Sequence, residues 1–204
     1  EFAQYVKNGN LPGLTLLRLM RDHTSGTTPG ASSARAMVAD NDYSVAQVVE
    51  TVSHSPYWKS SAIVVVEDDA QNGYDHVDAH RSPVFVAGPY VKRNAVIHGM
   101  YSTSGVLRTI ELILGLPPMS QYDAAAMPLY DCFTSKPDLT PNTAKPAQVD
   151  LEQRNVADNE SSRRSQFFNL AQEDKVHDLE LNEVVWKYVK GENSVMPAPK
   201  RSAL

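Results

Sequence analysis

The sequence predicts an α/β fold, a three-layer α/β/α arrangement around a mostly parallel sheet, and three observations carry that prediction. The apolar run Ala62-Ile63-Val64-Val65-Val66 shows no polar alternation, as expected of a central strand covered on both faces. A second extended run, Leu14 to Met20, precedes it. Between them, Ala34 to His54 places Met37, Val45, Val48 and Val52 at helical spacing. Strand, helix, strand in that order is a βαβ unit, whose right-handed crossover requires parallel strands.

The remaining elements follow from local signals. Glu1 to Asn8 predicts a short helix, ended by Gly9 and followed by Pro12. Arg21 to Ser33 is a loop rich in Thr, Ser, Gly and Pro, and Ser55-Pro56 ends the long helix after it. Val84 to Ala87 predicts a third strand before Gly88-Pro89. Ser104 is expected to cap a helix from Gly105 to Leu114, with Val106, Ile110 and Ile113 as its buried stripe and Gly115 and Pro117-Pro118 as its stop. Gln121 to Ala126 adds a short helix. Residues 134–160 turn polar and carry Pro137, Pro141 and Pro146, which predicts an extended surface segment without a core of its own. Ser161 to Gln172 and His177 to Lys190 then read as helices. The domain organisation expected is 1–133 for the α/β body, 134–160 for the extended segment and 161–204 for a helical extension.

Composition narrows the function classes. The chain has 204 residues, 42% of them hydrophobic, which suffices for one domain with a sizeable core. Its net charge of -5 argues against a nucleic-acid partner held by a broad basic surface. No apolar run approaches the ~18 residues that would span a bilayer. The one cysteine, Cys132, forms no intrachain disulfide and reads as a small buried residue.

The chemistry concentrates in Glu67-Asp68-Asp69-Ala70-Gln71-Asn72-Gly73-Tyr74-Asp75-His76-Val77-Asp78-Ala79-His80-Arg81-Ser82-Pro83, directly after the apolar run. Carboxylates this dense repel one another, by up to ~4 kcal/mol per pair at ~4 Å and an effective dielectric near ~20. A divalent metal ion relieves that repulsion, because hard cations prefer oxygen ligands. The competing reading is a solvated acidic turn, which has no need of two histidines and an arginine beside it. The loop is not an EF-hand. With Asp68 at the first position, Gly73 falls where that motif needs glycine, but Ala70 and Ala79 stand where it needs oxygen ligands. In open α/β sheets ligands bind beyond the carboxyl ends of the strands, so the βαβ reading brings Asp22-His23, after the first strand, to the same rim as Asp68-Asp69.

These residues resemble a family. Asp68-Asp69, Gly73-Tyr74 and Asp75-His76-Val77 have the spacing of the bacterial phosphoesterases of the phospholipase C and acid phosphatase type, within the alkaline phosphatase superfamily. Arg81-Ser82-Pro83 leading into Val84-Phe85-Val86-Ala87-Gly88-Pro89-Tyr90 is similar to the family's next strand, Val106-Leu107-Arg108-Thr109-Ile110-Glu111 to its following helix, and Asp22-His23 to an upstream Asp-His element. The resemblance runs from about Leu14 to Phe133 and recurs weakly near Leu179 to Met196. It implies an alkaline-phosphatase-like fold and a metal-dependent phosphoester hydrolase.

On that resemblance Asp68 and Asp69 are the metal ligands, with loop hydrogen bonding as their alternative, and Glu67 is a weaker third acid. His23 contacts the phosphate or protonates the leaving oxygen, a task suited to imidazole. Asp22 orients or ligates. His76 either holds Asp69 or ties the loop backbone. His80 has no fixed counterpart, and Arg81 is a phosphate fork or a counter-ion to the acids. Thr103 stands where several relatives have a histidine. His54, His98 and His177 read as surface or helix-end residues. The family's Glu-Asn pair and its Ser or Thr nucleophile have no counterpart before Leu14, so the chain reads as the C-terminal half of such an enzyme, partnered by a missing N-terminal half. The family also suggests a periplasmic or secreted setting. A sheet edge left by the missing half invites a homodimer or another partner. The alternative function is a non-catalytic module that kept the fold and binds a cation or a protein.

Overall fold

The computed structural model describes residues 1–67, 81–172 and 175–198. In chain order the elements are α1 (Phe2–Lys7), α2 (Ala34–Ser53), β1 (Ile63–Val66), β2 (Val84–Ala87), α3 (Thr103–Leu114), α4 (Gln121–Ala125), α5 (Glu160–Ser165) and α6 (Asp178–Lys190). Helix and strand are thus mixed, and the chain divides into two units. The first comprises Glu1–Leu17, Ala46–Val66 and Val84–Ala144; the second comprises Arg18–Val45, Glu67–Pro83 and Lys145–Leu204.

The sheet of the first unit departs from expectation. Among the described residues it has two strands, β1 and β2, paired antiparallel with Ile63 opposite Ala87 and Val66 opposite Val84. Residues 14–20 are not a strand. Their apolar side chains are exposed, Leu16 to 87%, and no backbone ladder reaches them from the described residues. A strand exists only where a neighbour satisfies its backbone groups, so an apolar run without that neighbour stays irregular. The βαβ unit with parallel strands therefore does not form among these residues. Among the described residues β1 pairs with β2 alone, and it is half-buried rather than covered on both faces.

Two small cores organise this unit. Val6, Val52 and Trp58 form one, with Phe2, Leu11, Tyr57 and Ile63 packed around them. Val106, Leu129 and Cys132 form the other, with Val64, Val86, Ile97 and Ile110 against them, so one face of each strand lies on α3. Each fully buried aliphatic chain here contributes about 1.5–3 kcal/mol. Cys132 is free and buried, and burial, with Asp131 adding to it, pushes its thiol up.

α3 starts two residues earlier than expected. Ser102, not Ser104, is its cap: its backbone is extended and its hydroxyl accepts from the Gly105 N–H at 3.3 Å. Gly105 has a packing reason to be glycine, since a Cβ there would collide with the Met127 carbonyl oxygen. The Arg108-Thr109-Ile110-Glu111 stretch serves the scaffold. Thr109 Oγ1 donates to Gly105 O at 2.7 Å and accepts from Leu129 N at 2.9 Å, while Arg108 pairs with Glu111 at 3.1 Å. Glu111, 3% exposed, also accepts from Met119 N at 3.3 Å.

In the second unit α5 is shorter than the helix expected over 161–172. Asn159 and Ser162 form a reciprocal capping box, but the helix ends at Ser165. Phe167 beyond it is 88% exposed, and a helix turn that buries no apolar face is marginal in water. α6 begins at Asp178 and buries Leu181 and Val184. Glu183 of α6 accepts from Arg164 of α5 at 2.9 Å and pairs with Lys187 at 3.0 Å, which together hold its carboxyl below the usual range.

The segment 134–160 has no helix or strand before Glu160. In the first unit its beginning is anchored by Asp138 N to Pro89 O at 2.8 Å, and by Asn142 N to Ser53 Oγ at 2.9 Å. In the second unit its end runs beside the loop before α2, with Asn155 buried.

Candidate functional site

Asp22 and His23 lie in a single helical turn, Arg21–His23, and both side chains are exposed. The turn is tied to α2 by Arg21 Nε to Asp40 Oδ2 at 3.1 Å, a partly exposed pair worth about 0–1 kcal/mol. His23 Nδ1 lies 3.4 Å from the carbonyl oxygen of Thr24. Thr24 itself is buried, with φ 66° and ψ 171°. Its hydroxyl has no hydrogen-bond partner among the described residues.

The loop that follows is fixed by polar contacts from far along the chain. Thr27 N donates to Ser165 Oγ at 3.0 Å, and Ser165 donates to Ser161 O at 2.9 Å. Gly26, at φ 56°, leaves room for that hydroxyl: a Cβ there would lie 2.7 Å from Ser165 Oγ. Asn155 Nδ2 faces the carbonyls of Thr28 at 3.1 Å, Ser32 at 3.3 Å and Gly26 at 3.4 Å, while the backbone of Asn155 pairs with Gly30 and Ala31. Ser33 caps α2 by accepting from Ala36 N at 3.1 Å, and its hydroxyl donates to Gln153 at 2.7 Å. His23 is thus carried at the edge of a loop whose backbone is pinned by amide and hydroxyl groups.

The acidic segment follows β1 directly. Asp68, Asp69, His76 and His80 lie outside the described residues. Their flanks are described: Glu67 N donates to Pro83 O at 3.4 Å, and Ser82 Oγ donates to Glu67 O at 3.2 Å. Arg81 is exposed. Asp22, His23, Glu67 and Arg81 all belong to the second unit. Among the described residues no three His, Cys, Asp or Glu side chains are grouped so as to hold a metal ion. By its chemistry the pair Asp68-Asp69 suits a hard divalent cation, since adjacent carboxylates offer oxygen donors with charge to neutralise.

Reading the sequence for chemistry-bearing residues missed Thr24, Asn155 and Ser165. The Thr/Ser/Gly loop signalled irregular backbone, but nothing in the sequence pairs Asn155 or Ser165 with it across more than a hundred residues.

The family model described as the Phosphoesterase family matches residues 1–117, more than half of the 204. The chain belongs to the phosphoesterase family. No curated protein and no solved structure matches it. The phosphoesterase match takes in Asp22, His23, Asp68, Asp69, His76, His80 and Arg81, and it ends just after α3. Membership associates the chain with phosphoester substrates. Among the described residues no helix is long and apolar enough to cross a membrane.

Proposed function

We propose that this chain takes part in metal-dependent hydrolysis of a phosphoester, with Asp68 and Asp69 holding a divalent cation and His23 acting on the leaving group. The observation that carries the reading is the phosphoesterase match over residues 1–117, which spans both the Asp-His turn and the acidic segment. A cation bound there offsets charge on the phosphoryl oxygens. His23, exposed on its turn, is free to meet a substrate oxygen from solvent. Asp22 orients the turn, while His76, His80 and Arg81 contribute to phosphate contact or to holding the acids.

The nucleophile, a Ser or Thr, is proposed to come from outside these 204 residues, as are the strands that would complete a mostly parallel three-layer sheet beside residues 14–20. Catalysis of this kind is mainly positioning and charge stabilisation, so a part-site retains little of it. The purified chain is expected to turn over p-nitrophenyl phosphate weakly or not at all. It is expected to bind manganese, calcium or zinc in calorimetry, with the binding lost in Asp68→Ala and Asp69→Ala. Robust turnover abolished by Asp68→Ala would place the nucleophile within this chain. Unaltered cation binding in both variants would remove the metal assignment. Cation binding without phosphoester turnover in a longer chain that includes the nucleophile segment would make the protein a binding module.

A further inference from the structure

We infer that Thr24 is a positioning residue for His23: its backbone turns its own carbonyl onto Nδ1, so that the neutral imidazole carries its proton there and presents Nε2 as the basic nitrogen. A carbonyl oxygen can only accept, so a hydrogen bond across the 3.4 Å between His23 Nδ1 and Thr24 O requires Nδ1 to be the donor, and the placement of that oxygen favours the tautomer with the proton on Nδ1. A hydrogen bond on one ring nitrogen fixes what the other can do.

The backbone that makes this contact is costly. φ 66° with ψ 171° lies in a region essentially reserved for glycine, and a β-branched residue there is a steric outlier. The side chain gives nothing visible in return, since its buried hydroxyl is unpartnered among the described residues. The conformation is instead imposed from both sides. Thr24 N donates to Arg21 O at 3.4 Å, closing the turn that carries His23, and Thr27 three residues on is locked to Ser165. What this strained residue delivers is the placement of its carbonyl beside the imidazole ring.

The catalytic use of this tautomer rests on the phosphoester reading above; the tautomer itself does not. In that reaction the imidazolium would pass its Nε2 proton to the leaving oxygen and become the neutral ring with Nδ1–H. It would regain a proton at Nε2 from solvent, and the Thr24 carbonyl would hold Nδ1–H throughout.

Imidazole 15N chemical shifts of the full chain, with the His23 signals assigned by their absence from His23→Gln, read the tautomer directly. Above the pH at which His23 becomes neutral, the wild type is expected to show a pyrrole-type Nδ1 and a pyridine-type Nε2. Thr24→Gly, which tolerates positive φ, should keep that pattern. Thr24→Pro, which forces φ near -65°, should lose it in favour of Nε2–H. An Nε2–H wild type, or a folded Thr24→Pro chain with the wild-type pattern, overturns the proposal. If Thr24→Pro does not fold, an Nδ1–H pattern in both the wild type and Thr24→Gly supports the proposal, and an Nε2–H wild type or loss of the Nδ1–H pattern in Thr24→Gly overturns it. Should the tautomer be Nδ1–H while the cation titrations fail, the positioning role stands and the phosphoesterase mechanism falls.

Discussion

Thr24 holds φ 66° and ψ 171°, where an L side chain is strained by about 1–3 kcal/mol. Thr24→Gly removes that strain and adds about 0.5–1 kcal/mol of unfolded-state entropy cost, so it should stabilise the protein, by up to about 2 kcal/mol in denaturant unfolding. Asn155→Ala acts the other way. Three loop carbonyls lose the amide that faces them, and the expected cost is about 1–3 kcal/mol, also read from denaturant midpoints. Asp123 provides a pH dependence. The Ser120 hydroxyl, with the Met119 N–H beside it, holds its carboxyl down to about 2, from an ordinary 3.8, against burial that raises it. A depressed carboxylate stabilises the fold fully above its unfolded value, and that stability is lost as pH falls through about 2. Acid unfolding should therefore be less steep between these values in Asp123→Asn than in the wild type. At this scale the sequence revealed side chains but not backbones. Asp22-His23 and Asp68-Asp69 stand out by type and spacing, whereas the conformation of Thr24 is set by neighbours distant in sequence.

Elements were legible where their signals are local. α1, α2, α3, α4 and α6 lie within a few residues of their expected bounds, because apolar period, caps and proline stops act over a single turn or two. β1 and β2 were found as apolar runs, but their antiparallel pairing was not, since register and direction depend on the partner strand. Residues 14–20 show the limit most plainly: the run has strand composition and lacks, among the described residues, a strand to pair with. α3 gives the sharpest element-level expectation. Gly105→Ala forces a methyl group against the Met127 carbonyl and should destabilise by about 1–3 kcal/mol, as overpacking does, although alanine is the better helix former. Ser102→Ala removes the cap and should cost about 1 kcal/mol. Thermal unfolding of both variants checks the order, with Gly105→Ala at least as destabilised. If Gly105→Ala melted above the wild type, the close approach of α3 to Met127 would be wrong.

The two tryptophans fall in different units: buried Trp58 lies in the first, and Trp186 lies on α6 in the second with Lys190 Nζ 5.6 Å above its ring. Asp22, His23 and the flanks of the acidic segment all fall in the second unit, so a cation bound by Asp68 and Asp69 as proposed would be expected to act on that unit's stability first. A ligand that binds only the folded state stabilises it by about 2.7 kcal/mol at a concentration of about 100 Kd. In a unit of about 100 residues, each kcal/mol moves the melting temperature by about 4–8 °C, so a rise of roughly 10–20 °C is expected. With Trp58→Phe, the remaining fluorescence of Trp186 should show that rise with the cation that binds best. With Trp186→Phe, the transition of Trp58 should stay where it is. Under the proposed metal assignment Asp68→Ala and Asp69→Ala should abolish the shift, because a single carboxylate offers fewer oxygen donors and less charge for a cation to neutralise. Equal shifts in both reporters would mean that the two units unfold as one. A Trp186 transition indifferent to manganese, calcium and zinc alike would leave the acidic segment as a solvated turn.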